Sequence, residues 1–353
     1  MDEIPESREI SGPTLEAMVH ETTPEWELRE STAVERGFCS VYRLVVERDG
    51  VERARYLKCS PDGQAWAIPT ESRLQAVLAA QTSIPVPEVL GVVDDHETHP
   101  TPYYLMSAVR GDATSYEHIV RFDDDALQRF AREMGAYLAE LHGVPVVESF
   151  GHVRHVGPEL TGGHPGDDPA TLTVGTPRES WPTYLRERVD SELERHADSR
   201  FSELTPELRR WFDAGIDRLE GPFDPILGRN DHGLHNLLVD AKTGEVTAIL
   251  DWGYTLAVPA AFDFEFAVYL YGGAFLAGLS DVTDRRPLVR NAMLAGYRST
   301  APDRAETVAT PEPLYEALAL VRIMNDFHHL DLPEERELAV IERIRDDVRA
   351  LVE

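Results

Sequence analysis

The pattern of hydrophobic and polar positions divides the chain into a strand-rich first third and a helical remainder. In the first part, "SVYRLVV" and "RARYLKC" are rich in β-forming residues and flank "ERDG", a sequence typical of a tight turn. The apolar runs in "IPVPEVLGVVDD" and "PYYLMSAV" predict two more strands. Between these pairs, "ESRLQAVLAAQ" places Leu74, Val77 and Leu78 on one face of a helix. This part of the chain therefore predicts a sheet with a helix packed against it.

In the remainder, apolar residues recur every three to four positions, as in amphipathic helices. One stripe in "DDALQRFAREMGAYLAELHGV" contains Phe130, Met134, Tyr137, Leu138 and Leu141. Helical patterns follow near residues 180–197, 206–219, 261–279, 285–299, 311–329 and 332–351. The short apolar pieces "DPILG", "NLLV" and "VTAIL" predict a small β insert, and the Gly-, Pro-, His- and Asp-rich residues 150–178 predict a long loop. We therefore expect an α+β fold with two lobes, a β-rich one over residues 1–110 and a mainly helical one over 111–353.

Composition narrows the class of protein. The 353 residues are 42% hydrophobic, enough for packed cores in two lobes. No apolar run approaches the ~20 residues of a membrane span. The net charge of −29 repels nucleic acid and anionic membranes, so we expect neither as a partner. The start "MDEIPESREI" lacks the basic and apolar regions of a signal peptide, which favours the cytoplasm. Two cysteines, Cys39 and Cys59, do not make a disulfide framework.

The basic residues are unusual, because only Lys58 and Lys242 among the 34 are lysines. An acidic surface that uses arginine indicates adaptation to high salt, where screening reduces the self-repulsion. In a chain that nearly excludes lysine, a lysine within an apolar strand requires an explanation.

Lys58 lies in the apolar segment "YLKC", where a charge is costly unless it is paired. Glu71 is a candidate partner, because it shares a helical face with Leu74 and Leu78. In phosphoryl transfer, such a pair holds a lysine against nucleotide phosphates. The alternative is a lysine that snorkels from a strand edge and a solvated glutamate at a helix start. The scarcity of lysine favours the functional interpretation.

A second group of polar residues surrounds two short strands. Asp231 and Asn236 have the spacing D-x-x-x-x-N, in which the Asp accepts a hydroxyl proton and the Asn binds a metal ion. A hairpin with its turn at Lys242–Gly244 would return Asp251 to the side of Asn236. A carboxylate and an amide oxygen together suit Mg²⁺ bound to phosphates. The alternative is polar loop residues in an acid-rich chain, but their order after the lysine and glutamate favours phosphoryl transfer.

With these residues in this order, the chain resembles the aminoglycoside phosphotransferase family, whose relatives include choline and fructosamine kinases with a protein-kinase-like fold. "NDHGLHNLLVD" is similar to the family's catalytic loop H-G-D-x-x-x-x-N, which implies that Asp231 is the catalytic base and Asn236 a Mg²⁺ ligand. "ILDWG" resembles its I-D-W segment and implies that Asp251 is the main Mg²⁺ ligand. "YLKC" and "TESRL" imply that Lys58 contacts the ATP phosphates and that Glu71 holds it.

The resemblance covers about residues 30–330 and extends to the nucleotide side. "PYYLMSAVRGD" resembles the strand and hinge before the second lobe, which implies that backbone groups of about Ser107 to Val109 contact adenine. The glycine-rich loop over the phosphates is reduced to Gly37 and Ser40 in "ERGFCSVY". From its residues alone, that segment also suits an ordinary hairpin turn.

Two further segments concern support of the catalytic loop. "YLAELHGV" matches the family's L-x-x-L-H helix, and "PAAFDFEFA" resembles its G-D-P-x-x-D-L-A, which implies that Asp263 braces the loop although the Gly-Asp-Pro lead-in is absent. The family's usual His and Gly before the base are Arg229 and Asn230 here. This change affects the support of the loop more than its chemistry, and it makes Arg229 a candidate phosphate contact.

The expected activity is therefore ATP- and Mg²⁺-dependent transfer of a γ-phosphoryl group to a hydroxyl of a small molecule, such as an amino sugar, a sugar or an amino alcohol. The alternative is a catalytically weak nucleotide-binding regulator of the same fold, supported by the altered Arg229–Asn230 pair. A protein kinase is disfavoured, because no A-P-E motif follows "DWG". Four histidines in or near the predicted loop have spacings that fit no ordered metal site, namely His142, His152, His155 and His164.

Overall fold

A computed structural model describes residues 9–34, 39–60, 67–145, 148–240, 242–279, 281–330 and 332–352. Within these ranges, the N-terminal part contains an antiparallel sheet of five strands. The strands are β1 (Glu27–Val34), β2 (Ser40–Arg48), β3 (Val51–Cys59), β4 (Val89–Val93) and β5 (Tyr103–Ser107), in the sheet order β1-β2-β3-β5-β4. The strands predicted for this part of the chain are therefore present.

Two helices cover this sheet, α1 (Gly12–Thr22) and α2 (Ala67–Gln81). Alternate residues of β2, including Leu44 and Val46, share one apolar cluster with Leu15 and Met18 of α1. On α2, Ile68 packs with residues of β4 and β5 in a separate cluster. The central strands are thus covered on both sides, whereas β1 is mostly exposed, and α2 directs the buried carboxylate of Glu71 towards β3.

Within the described residues, eight further helices dominate the C-terminal part. They are α3 (Tyr116–Arg121), α4 (Asp124–Leu141), α5 (Trp181–His196), α6 (Thr205–Ile216), α7 (Ala260–Gly272), α8 (Arg286–Thr300), α9 (Pro313–Asn325) and α10 (Glu334–Val352). Gly135 of α4 and Gly296 of α8 lie against backbone of the opposite helix, where a side chain would collide, so these helices pack very closely. The segment Ala260–Ala277 is apolar and long enough to suit a membrane span, but 76% of it is buried inside the protein, as in a core helix.

Short strands connect these helices to the loops that carry the candidate site. They are β6 (Asp112–Ala113), β7 (Gly151–His155), β8 (Leu172–Val174), β9 (Ile226–Gly228), β10 (Leu237–Val239), β11 (Val246–Ile249) and β12 (Leu256–Val258). Two small sheets result, with the orders β11-β10-β6 and β8-β7-β12-β9. The predicted β10–β11 hairpin is confirmed.

The long loop predicted for residues 150–178 is wrong in part, because β7 and β8 lie within it. "GHVRH" reads as a polar loop because only Gly151 and Val153 are buried. Its strand conformation comes from pairing with β8, within the same polar segment, and with β12, about a hundred residues further along the chain, so its own composition carries little signal for it. His152 and His155 consequently lie in a strand rather than in the predicted loop.

Candidate active site

An ion cluster lies where the N-terminal sheet meets the loop after β11. Lys58, near the end of β3, places its Nζ 2.8 Å from Oε2 of Glu71 and 3.2 Å from Oδ1 of Asp251. The side chains of Lys58 and Glu71 are 11% and 2% exposed, whereas that of Asp251 is 40% exposed. The pair expected from the sequence is therefore present, and the third group reaches it from the C-terminal part of the chain.

The ammonium of Lys58 is stabilised despite its burial. Burial alone would lower the pKa of Lys58, but the carboxylates of Glu71 and Asp251 outweigh it and raise that pKa well above its ordinary value. Burial raises the pKa of Glu71, and the ammonium of Lys58 opposes the rise. The second oxygen of Glu71 accepts from Gln75 Nε2 at 3.3 Å and from the Trp252 amide at 3.4 Å, so its orientation is fixed.

Asp231 lies in the loop after β9 with both carboxylate oxygens engaged. Oδ1 accepts from the Gly233 amide at 3.0 Å, and Oδ2 accepts from Asn236 Nδ2 at 2.9 Å. Burial would raise the pKa of Asp231, but Arg322, Arg229 and the other positive groups around it lower it below the ordinary value. An ionised carboxylate of this kind accepts a proton only as a hydroxyl becomes acidic during attack on phosphorus.

Asn236 and Asp251 lie at the same end of the β10–β11 hairpin. The amide of Leu250, next to Asp251, donates to the Asn236 carbonyl at 2.8 Å. Because Nδ2 of Asn236 donates to Asp231, its amide oxygen points elsewhere and is a candidate ligand. Asp251 has a φ of 58°, a left-handed conformation that is uncommon for a residue with a side chain and is frequent at functional sites.

The two candidate oxygen ligands, from Asp251 and Asn236, suit a Mg²⁺ ion that is also bound to phosphates better than a metal ion held by protein groups alone. No cluster of three or more His, Cys, Asp or Glu side chains that could hold a metal occurs among the described residues. Mg²⁺ usually takes one or two protein oxygens and completes its shell with phosphates and water. The carboxylate of Asp251 and the amide oxygen of Asn236 fit that pattern.

Asp263, at the start of α7, braces the Asp231 loop. Its fully buried carboxylate accepts from the amides of Arg229 at 2.9 Å and Asn230 at 3.1 Å. His232 Nε2 and His142 Nε2 lie 2.8 and 3.2 Å from the same carboxylate. Burial would raise the pKa of Asp263, but the two histidines outweigh it and hold the pKa far below its usual range. The supporting role expected for Asp263 is confirmed.

Arg229 is 2% exposed and links the two catalytic segments. Its Nε donates to the Asp231 carbonyl at 2.6 Å, its Nη2 donates to the Leu250 carbonyl at 3.0 Å, and its guanidinium lies 4.8 Å from the Trp252 ring centre. The phosphate contact considered for Arg229 from the sequence is therefore wrong, because the side chain is buried and directed into the protein.

The structure describes only some of the residues that were expected to contact adenine and to cover the phosphates. Gly37 lies outside the described residues. Ser40 is buried at the start of β2, opposite Cys59 of β3. The Ser107 amide donates to the Glu88 carbonyl at 2.9 Å, so it is already engaged, whereas Val109 lies beyond β5 and is half-buried. The candidates for the expected adenine contact are therefore backbone groups in this segment other than the Ser107 amide.

Sequence reasoning did not identify four residues near Asp231. His142 and His232 complete the support of Asp263, and their only signal was their position within the matched motifs. Arg188 of α5 and Arg322 of α9 reach Asn230, next to Asp231. Neither arginine has a sequence signal, because each lies in a helix far from the loop in the chain.

Comparison with known proteins places this geometry in context. A family model described as "Phosphotransferase enzyme family" matches residues 32–308. A protein from Ralstonia eutropha JMP134, assigned to the aminoglycoside phosphotransferases, aligns with a TM-score of 0.62 and 14% identity over 98% of both chains. The GDP and kanamycin complex of APH(2″)-IIIa aligns with a TM-score of 0.57 and 15% identity, over 95% of this chain and 98% of that one. A thermostable mutant of APH(4)-Ia in complex with ADP and hygromycin B aligns at 0.54 and 14%, over 96% and 98%. At these identities, the similarity shows a shared fold.

Proposed function

Because the chain belongs to the phosphotransferase enzyme family, we propose that it transfers the γ-phosphoryl group of ATP to a hydroxyl of a small molecule. One observation carries the proposal: Asp251 lies 3.2 Å from Lys58, 193 residues away in the chain, and is joined through Leu250 to the loop of Asp231 and Asn236. A lysine, a metal-ligand pair and a base thus meet at one place. Relatives of the same fold contain ADP or GDP together with hygromycin B or kanamycin, which supports a nucleotide and a small acceptor.

On the nucleotide side, Lys58 binds the α and β phosphates, and Glu71 holds the ammonium in place. Asp251 and the amide oxygen of Asn236 would hold Mg²⁺, and the ion would neutralise charge on the phosphates. Backbone groups of Val109 and its neighbours contact the adenine base. These roles require groups held in fixed positions more than they require reactive groups. The buried hydrogen bonds around Glu71 hold its carboxylate in position.

On the acceptor side, Asp231 orients the hydroxyl and accepts its proton. The acceptor oxygen forms the new bond to the γ phosphorus, the bond from that phosphorus to the β–γ bridging oxygen breaks, and ADP leaves. Arg229 keeps Asp231 in register with the Asp251 segment, because it donates to backbone carbonyls on both sides. The Arg229–Asn230 pair, the basis of the regulator alternative, therefore supports the loop through an arginine in place of the family His.

The test is ADP release from Mg-ATP, with GTP in parallel, in high potassium chloride across a panel of hydroxyl acceptors. We expect acceptor-dependent release by the wild type and losses of at least about 10²-fold in kcat for Asp231→Ala and Asp251→Asn. Asp198→Asn, an exposed position with a similar charge change, is the control. Thermal unfolding of each variant checks the fold. Full activity of a folded Asp251→Asn protein would refute the metal-ligand role. Nucleotide binding with no Asp231-dependent ADP release would favour the regulator.

A further inference from the structure

The charge around Asp231 is opposite in sign to that of the protein as a whole. The chain carries a net charge of −29, yet arginines, led by Arg322 and Arg229, lower the pKa of Asp231. Arg229 is committed to backbone carbonyls inside the protein. Arg322 lies nearer the surface and is half-buried.

Arg322 and Arg188 converge on a single residue beside Asp231. The side-chain oxygen of Asn230 accepts from Arg188 Nη2 at 3.2 Å and from Arg322 Nη1 at 3.3 Å, and the Asn230 carbonyl accepts from Arg322 Nη1 at 3.0 Å. Two guanidinium groups that share one oxygen lie close together. Asn230 in turn directly precedes Asp231, so both charges lie near the position of an acceptor hydroxyl.

Neither of these arginines has a carboxylate within 4.0 Å among the described residues. The contrast with Arg186, two positions before Arg188 on α5, is direct, because Arg186 pairs with Asp213 at 3.0 Å and with Asp217 at 2.8 Å. Within the same described ranges, Nε of Arg188 is buried, and the group that interacts with this guanidinium on α5 is the neutral hydroxyl of Tyr184, which does not balance its charge. The chain has sixty-three acidic residues, and none of those within the described ranges forms an ion pair with Arg188 or Arg322.

Asp231 attracts Arg322 from beyond ion-pair distance, but one carboxylate does not balance two neighbouring, half-buried cations, and this is unfavourable since buried charges are ordinarily paired. A ligand anion removes the cost, and arginines bind planar carboxylates and phosphates through two parallel hydrogen bonds. We propose that the acceptor is an anionic hydroxyl compound whose carboxylate or phosphate binds between Arg188 and Arg322 while its hydroxyl reaches Asp231. This inference rests on the proposed function. A polycationic aminoglycoside would meet like charge at the same place.

The anion has a second source, the γ phosphate of the nucleotide. Lys58 of the N-terminal sheet and Asp251, which contacts it, already form a group suited to nucleotide phosphates. Arg188 and Arg322 come from α5 and α9 on the opposite, helical side, which favours the acceptor. Separate KM values for ATP and for the acceptor distinguish the two sources.

The experiment compares the wild type, Arg188→Gln and the control Arg186→Gln in the ADP-release assay. Acceptors are offered as matched neutral and anionic pairs, glycerol with glycerate and glucose with glucose 6-phosphate, with kanamycin as the cation. We expect turnover of anionic members, and a rise of at least about tenfold in their KM for Arg188→Gln, as for loss of one charged hydrogen bond. The KM for ATP should stay within about twofold, and Arg186→Gln should match the wild type.

Two outcomes overturn the anionic acceptor while leaving the proposed function intact. One is turnover of neutral compounds or kanamycin with a KM that Arg188→Gln does not change. The other is a higher KM for ATP with an unchanged KM for the acceptor, which would assign the arginines to the nucleotide.

A second measurement does not depend on turnover. It tests whether an anion binds at Arg188 even if no acceptor leads to ADP release. Sulfate is added to each protein saturated with Mg²⁺ and a non-hydrolysable ATP analogue, at constant ionic strength. Sulfate should raise the Tm of the wild type and of Arg186→Gln more than that of Arg188→Gln. Equal shifts in all three proteins would refute an anion site at Arg188.

Discussion

The buried Lys58–Glu71 pair allows a sharp stability prediction through a double-mutant cycle. Lys58→Met leaves the carboxylate of Glu71, 2% exposed, with no cation, and Glu71→Gln leaves the ammonium of Lys58 with only the half-exposed Asp251. Removal of one partner of a buried pair costs about 3–5 kcal/mol, because the other charge stays buried and uncompensated. The contact of Lys58 with Asp251 offsets little of this, about 0–1 kcal/mol, since the carboxylate is screened by solvent.

The double variant Lys58→Met/Glu71→Gln should be nearly as stable as the wild type, because neutral groups of similar volume avoid the desolvation cost of both ions. The interaction free energy from the cycle equals the two single losses minus the double loss, and should therefore be about 6–10 kcal/mol. Only the wild type should retain catalysis. The double variant should be stable but inactive, so this set of variants distinguishes the effect on stability from the effect on activity.

The pH dependence of Lys58→Met provides an independent check. Burial and the charge of Asp251 raise the pKa of Glu71, and the opposing ammonium is absent in this variant, so the folded-state pKa rises further above the unfolded value. The folded protein then holds a proton that the unfolded chain has released. The free energy of unfolding of Lys58→Met should consequently increase, relative to the wild type, as the pH falls from about 7 to about 5.

The assay is urea unfolding in high potassium chloride, followed by tryptophan fluorescence and by circular dichroism. Coincident transitions justify a two-state analysis of this two-lobed chain. A Lys58→Met protein as stable as the wild type, or a double variant no better than the worse single variant, would refute the assignment of a buried, mutually compensating pair.

Two further outcomes test the support of the catalytic loop and the surface charge. Asp263→Asn should lower kcat at least about tenfold with little change in the KM for ATP, because the amide cannot accept all the bonds that position Arg229 and Asn230; steady-state kinetics with an unchanged kcat would contradict this. At a net charge of −29, the Tm should rise steeply with potassium chloride, and a protein that is folded and fully active in low salt would argue against salt adaptation.

The predictions that succeeded from the sequence depended on local, periodic signals. The placement of Glu71 on the apolar face of α2 followed from helical spacing, and the β10–β11 hairpin followed from two apolar runs around a turn. The strand β7 was missed, because it pairs with the distant β12 and with β8 of the same polar segment, and its own residues are mostly polar. The phosphate contact considered for Arg229 failed, because no local pattern tells a buried arginine from an exposed one.

By itself, the sequence determined the α+β class, the order of its main helices and of strands β2 to β5, and the identity of the candidate residues Lys58, Glu71, Asp231 and Asn236, since each depends on residue type and spacing within a short segment. Only the tertiary structure decided which charges meet. Arg188 and Arg322 reach Asn230, next to Asp231, from two helices, and no acidic residue of the described chain forms an ion pair with either of them. A net charge is a sum over the chain, whereas the electrostatic field at one carboxylate depends on distances that folding alone sets.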